Sequence, residues 1–210
     1  MKKRLCSLAL ALCLALSLVP GAAAAGYNPF WDVPASHWAH SAVTYVYEKG
    51  LMQGTSSIYF SPGGTTTRAQ VVTVLYRMAG QPAANRTNPF VDVPASAWFH
   101  DAVTWAWEND VTGGVSASRF EPNRAVTREQ LATLIARYAT GSGHHLPEVS
   151  DPADPFPDTD EIASWARVSV EIMRLTGLMA GYDDGTFRPQ DTANRAQAAT
   201  LFMRLDQALG

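Results

Sequence analysis

Cysteine is nearly missing from this chain. There are two, Cys6 and Cys13, both close to the N-terminus in a stretch that reads as an export signal. A mature protein without them has no disulfide and must be held by packing. Positive charge is also scarce: the formal net charge is −3. That excludes a bulk electrostatic attraction to nucleic acid or to anionic membranes, so an anionic ligand must be held by local groups. Beyond Leu5–Val19 no apolar run approaches the roughly 20 residues that cross a bilayer, so no transmembrane segment is expected after signal cleavage. Metal-ligand clusters are missing. His37 and His40 lie close together and His144-His145 are adjacent, but neither pair has a third ligand at metal spacing and neither recurs. Nucleophile elbows, phosphate loops and zinc-protease helices are lacking too. Acidic residues do cluster, as at Asp151 to Glu161, but that cluster is unique to one copy and reads as solvated surface. A recurring acid pair for glycan hydrolysis is not present, so no enzyme, cofactor or metal is predicted.

What is present begins with a leader. Met1-Lys2-Lys3-Arg4 precedes the apolar run Leu5–Val19, then Pro20-Gly21 and the small residues Ala22–Ala25. This order predicts a secretory signal peptide over 1–25, cleaved after Ala25. Leu12 stands before Cys13 where a lipoprotein would have a small residue. Cleavage removes Lys2, Lys3 and Arg4 and leaves the mature chain more acidic.

The rest is a threefold repetition. Trp38 and Arg68, Trp98 and Arg128, and Trp165 and Arg195 recur at one constant separation. The copies span 28–80, 88–140 and 154–205. Each opens on a phenylalanine and an aspartate: Phe30 and Asp32, Phe90 and Asp92, Phe156 and Asp158. Asp-Val-Pro-Ala-Ser follows at 32–36 and 92–96, and is lost in the third copy. Ser36, Ser96 and Ser164 are predicted N-caps of a first helix. Its apolar stripe would start at the tryptophan and continue through Ala42, Val43 and Val46 or their counterparts. Gly50 and Gly177 are stops for this helix, with Asp110 a weaker one. On this pattern Trp38, Trp98 and Trp165 read as core anchors. Trp105 and Trp107 fall on opposite helix faces, so both cannot be buried, and an exposed one could stack on a sugar.

A compact loop comes next, with Gly54, Gly114 and Gly181 preceding Phe60, Phe120 and Phe187. A second helix then opens on Thr67-Arg68-Ala69-Gln70, Thr127-Arg128-Glu129-Gln130 and Asn194-Arg195-Ala196-Gln197. Each string is a capping box, with a hydroxyl or amide at the N-cap and glutamine three residues on. Each copy is about 50 residues, too few to bury enough apolar surface alone. Stacking is therefore predicted: a mainly α fold of three helix–loop–helix repeats in a pseudo-threefold bundle with a central three-helix core.

Arg68, Arg128 and Arg195 stand at the first helical position, where a cation opposes the helix dipole. Three copies accept that cost, so each guanidinium should meet an anion. Spacing leaves two candidates open. One is an external carboxylate, bound bidentately with help from free helix-start N–H groups. The other is Asp32, Asp92 or Asp158 of a neighbouring copy.

These motifs resemble the S-layer homology (SLH) domain, three times in tandem. The resemblance rests on the Thr-Arg-Ala-Glu-type strings at 67–70, 127–130 and 194–197. The Phe-x-Asp-Val opening and the Gly-Leu-Met-x-Gly strings at 50–54 and 177–181 also carry it. It implies a non-catalytic, secreted protein of the bacterial cell wall or S-layer, anchored without covalent bonds. The ligand it implies is a secondary cell-wall polymer, often pyruvylated, or a peptidoglycan-linked polysaccharide, with other surface proteins as further partners. Carried over, Arg68, Arg128 and Arg195 contact the carboxylate, while Gly54, Gly114 and Gly181 line grooves between lobes. Trp38, Trp98, Trp165, Asp32, Asp92 and Asp158 stay structural. Departures from the family pattern are Gln70, Gln130 and Gln197 in place of glutamate, and Asn194 in place of threonine. They predict unequal sites, the third the weakest. A self-assembling surface protein that bridges other envelope proteins, without glycan binding, is the alternative.

Overall fold

A computed structural model describes residues 27–141, 143, 146–147 and 154–210. The expected leader with its two cysteines, the His144-His145 pair and Asp151 lie outside the described residues. Among these described residues six α-helices follow in order: α1 His40–Glu48, α2 Arg68–Met78, α3 His100–Glu108, α4 Arg128–Gly141, α5 Arg167–Leu175 and α6 Arg195–Leu209. Among the described residues there is no β-strand, only isolated bridges.

The first helix of each copy begins later than its serine predicts. Its N-caps are Ala39, Phe99 and Ala166, none with a side-chain bond to the helix. A backbone turn intervenes: the N–H groups of His37, Ala97 and Ala166 donate to the carbonyls of Pro34, Pro94 and Ala163. Each tryptophan therefore sits in a turn, not on the helix, and the core-anchor expectation fails. Trp38 and Trp98 are 65% exposed and Trp165 is 52% exposed. The neighbour of each tryptophan, Ala39, Phe99 or Ala166, is the buried residue. Trp105 is buried and Trp107 only partly so, as opposite helix faces require.

The stops fall where expected. Gly50 and Gly177 take φ of 68° and 67°, and Asp110 takes the same left-handed conformation at 58°. A Cβ carries a cost in that region that glycine escapes. Asp110→Gly is expected to stabilise the protein by roughly 0.5–1 kcal/mol, a rise of about 2–3 °C in melting temperature. Differential scanning calorimetry checks this, and an unchanged or lowered midpoint would contradict it.

The second helices start as read. Thr67 Oγ1 accepts from Gln70 N at 3.3 Å, and Gln70 Oε1 accepts from Thr67 N at 2.9 Å. Asn194 does the same job better, accepting from Gln197 N at 2.8 Å. The amide thus replaces the hydroxyl without loss of the cap.

Packing runs between copies. The first helix of each copy lies on the second helix of the preceding one: α3 on α2, α5 on α4, and α1 on α6. α2 also packs on both α4 and α6. One hydrophobic core draws on all three copies. Phe60, Phe120 and Phe187 are fully buried in it, each contributing roughly 1.5–3 kcal/mol. They meet the entry rings Phe30, Phe90 and Phe156 at 5.5, 5.8 and 5.1 Å. A copy taken alone would lack the main packing partner of both its helices.

Backbone hydrogen bonds close the copies into a ring. The N–H groups of Arg68 and Ala69 donate to the carbonyls of Arg124 and Pro122. Those of Arg128 and Glu129 donate to Asp191 and Pro189, and those of Arg195 and Ala196 to Gly64 and Pro62. The first copy thereby holds the second, the second the third, and the third the first. Tyr45 adds a latch from α1 to α6, its hydroxyl donating to Asp206 at 2.6 Å. Burial and the carboxylate together push that hydroxyl up to about 12.

Candidate functional site

The repeated arginines are buried: Arg68 is 4% exposed, Arg128 7% and Arg195 6%. Each reaches into the loop of the next copy. Arg68 Nε donates to Phe120 O at 2.8 Å, Arg128 Nε to Phe187 O at 2.6 Å, and Arg195 Nε to Phe60 O at 2.8 Å. The guanidinium lies over the same phenylalanine, with centroid distances of 4.7, 4.9 and 4.4 Å. An aromatic face stabilises a cation.

Among the described residues no carboxylate completes these sites. Among the described residues the ion pairs are Lys49–Asp206, His100–Asp101, Arg124–Glu121, Arg174–Glu171 and Arg188–Asp184. The internal pairing with Asp32, Asp92 or Asp158 is therefore not made. Those aspartates are committed to backbone. Asp32 accepts from the N–H groups of Phe60 and Ser61 at 2.9 and 2.7 Å. Asp92 accepts from Phe120 and Glu121 at 2.9 and 2.8 Å, and Asp158 from Phe187 and Arg188 at 2.8 and 2.7 Å. The second donor in each case is a non-glycine residue in the left-handed region: Ser61, Glu121 or Arg188. The aspartate thus holds a bend that its loop would not adopt by itself. Burial works against the Asp92 carboxylate, but the two N–H groups hold it below its ordinary value.

A buried guanidinium without a counter-ion pays a desolvation cost. Burial pulls Arg68 down to about 10, partly opposed by the charges of Glu121 and Asp92. Burial also lowers Arg128 and Arg195. Arg68 stays protonated at neutral pH. Among the described residues, the fully buried side-chain polar atoms without a partner are the hydroxyls of Thr44 and Thr66. The terminal nitrogens of Arg68 and Arg128 are not among them, so they open onto solvent.

They open into grooves. Arg68, Arg128 and Arg195 line three cavities of about 390, 650 and 280 Å³. Each is built from all three copies. In the first, Arg68 faces Gly114 and its loop from the second copy and Trp165 from the third. Arg128 joins Gly181 and Trp38, and Arg195 joins Gly54 and Trp98. The tryptophan and arginine of one copy, constant in spacing, therefore serve different grooves. The glycines are required sterically. A Cβ at Gly54, Gly114 or Gly181 would lie 2.4, 2.5 or 2.9 Å from the ring of Phe30, Phe90 or Phe156.

Helix-start N–H groups, expected to bind the anion, are already taken. The first two bond to the neighbouring loop and the third to the N-cap side chain. Each groove instead holds a second arginine that the sequence expectations do not include. Arg77, Arg137 and Arg204 line the Arg195, Arg68 and Arg128 grooves respectively. They follow Arg68, Arg128 and Arg195 at one constant interval, the same signal that singled out the first set. Arg77 Nη1 donates to Leu51 O at 2.8 Å and Arg204 Nη1 to Leu178 O at 3.2 Å, which tethers each to its groove wall.

The S-layer homology domain matches at residues 29–72, 89–132 and 155–199. The chain belongs to the S-layer homology domain family. Among its relatives is an endoglucanase of Bacillus sp. (strain KSM-635), 30% identical over 97% of this chain and 22% of the relative. The surface-layer 125 kDa protein of Lysinibacillus sphaericus is 30% identical over 93% of this chain and 16% of its own length. A cellulosome-anchoring protein of Acetivibrio thermocellus is 26% identical over 84% and 38%. This chain therefore spans only a minor part of each of these relatives. SLH domains are binding domains of the cell surface, and membership places this one at the bacterial cell wall as an anchoring module. Among the described residues of this SLH triplet, no helix is long and apolar enough to cross a membrane, and no group of metal-ligating side chains occurs.

Proposed function

We propose that this SLH triplet anchors non-covalently to the wall by binding an anionic, pyruvylated secondary cell-wall polymer in its grooves. The observation that carries this reading is the guanidinium in each groove: buried, charged and, among the described residues, without a carboxylate of its own. A ligand carboxylate would supply the missing counter-charge and offset the desolvation cost, with Arg77, Arg137 or Arg204 as a second cation nearby. The exposed tryptophan that lines each groove offers a flat apolar face to a sugar ring. Several grooves on one body would add avidity along a polymer.

Purified wall sacculi, intact or stripped of the ketal by mild acid, provide the test. Co-sedimentation of the protein is expected with intact sacculi and is expected to fall at least tenfold after ketal removal. Equal binding to both would overturn the carboxylate mechanism. The self-assembly alternative rested on arginines pairing internal acids, and those pairs are absent among the described residues.

A further inference from the structure

We propose that the three grooves are ranked, that the Arg128 groove is the primary site, and that Tyr182 makes it so. This rests on the carboxylated-glycan reading above and adds an order to it. Arg128 differs from its counterparts in its surroundings. Its guanidinium lies between two rings, 4.9 Å from Phe187 and 4.6 Å from Tyr182. Arg68 and Arg195 each have one ring, because Val115 and Thr55 stand where the third copy has Tyr182. Tyr182 is itself held. Arg188 covers it at 4.2 Å, and Asp184 anchors Arg188 at 2.7 Å. A guanidinium fixed before the ligand arrives loses less freedom on binding.

The donors left over rank the grooves in the same direction. Arg128 and Arg68 each give only Nε to the protein among the described residues, leaving both terminal nitrogens for a carboxylate. Arg195 also gives Nη2 to Gln53 O at 2.6 Å. Its fork is partly spent, and its groove is the smallest of the three. Charge does not reverse the order. Asp183 lines the Arg128 groove, but it is exposed, so solvent screens its repulsion of an anion, and its carboxylate can accept sugar hydroxyls. Arg124 adds a cation to the Arg68 groove, but it is exposed and paired with Glu121 at 2.8 Å. The ranking is Arg128, then Arg68, then Arg195.

Each groove carries its own reporter, since Trp38, Trp165 and Trp98 line the Arg128, Arg68 and Arg195 grooves respectively. The experiment titrates the whole mature chain with a methyl glycoside of a pyruvate-ketal N-acetylhexosamine. Indole N–H signals are followed by NMR and assigned by single Trp→Phe variants. Trp38 is expected to respond at the lowest concentration, then Trp165, then Trp98. Tyr182→Thr is expected to weaken the Trp38 response about fivefold and leave the other two curves in place. Thr55→Tyr, which installs the ring in the weakest groove, is expected to strengthen the Trp98 response. Coincident curves, a reversed order, or a Tyr182→Thr variant with an unmoved Trp38 curve would overturn the ranking while leaving glycan binding intact. Silence at all three indoles would overturn the carboxylated-glycan reading itself, and the ranking with it.

Discussion

Asp92→Ala is expected to lower the unfolding free energy by about 3 kcal/mol or more, because two hydrogen bonds to a charged carboxylate are lost at once. The effect exceeds that of an ordinary surface aspartate because of what the carboxylate restrains. Its two donors, the N–H groups of Phe120 and Glu121, flank the bend at which Glu121 takes a positive φ. The same Phe120 supplies the carbonyl for Arg68 and the ring beneath it. Releasing the bend therefore loosens the Arg68 groove as well as the core. Urea unfolding measures the loss, and a change below about 1 kcal/mol would mean the bend is held by packing alone.

The same carboxylate gives a pH signature of known sign. Its folded-state pKa is depressed, so its stabilisation is complete above the unfolded value of about 4 and is lost as pH falls through the lower folded value. The wild type should lose stability on acidification through that window. Asp92→Ala should start lower and lose less over the same interval.

The triple variant Trp38→Ala, Trp98→Ala, Trp165→Ala is expected to abolish wall binding, with a loss of at least about 100-fold and little change in stability. A buried aromatic anchor is worth about 2 kcal/mol or more at an interface, and multivalent engagement compounds the loss across grooves. All three tryptophans are more than half exposed, so their removal leaves no cavity in the core. Sacculus co-sedimentation and thermal unfolding, measured on the same preparation, separate the two roles. Retained binding with a collapsed melting temperature would restore the tryptophans to a core role. This variant is more informative than Arg→Ala. Removing Arg68 would also leave the Phe120 carbonyl without its donor and confound binding with folding.

Much of the architecture was legible because repetition filters local signals. The capping boxes at Thr67 and Asn194, the glycine stops at 50 and 177, and the helical stripes all depend on neighbours in sequence. Short-range chemistry decides them. The tryptophans are ambiguous in the sequence because an apolar residue at the edge of a helical stripe fits two structures. The bond from His37 N to Pro34 O makes a separate turn before the helix, and Trp38 in that turn is exposed. Arg77, Arg137 and Arg204 recur with a spacing as regular as that of Arg68, Arg128 and Arg195.

The sequence by itself determined three units, the two helices in each, the caps of the second helices, the stops of the first, and the arginine and glycine that each unit brings to a groove. Which residues meet across units was decided only by the tertiary structure. Arg68 meets a loop from the second copy and a tryptophan from the third, and nothing in its local sequence encodes that. The reason is physical. Within a copy, spacing along the chain dictates distance. Between copies, distance follows from ring closure, in which each helix start hydrogen-bonds to the next loop and each first helix covers the second helix of the preceding copy. The same closure uses up the helix-start N–H groups and turns Asp32, Asp92 and Asp158 toward backbone. It leaves the guanidinium in each groove without an anion among the described residues.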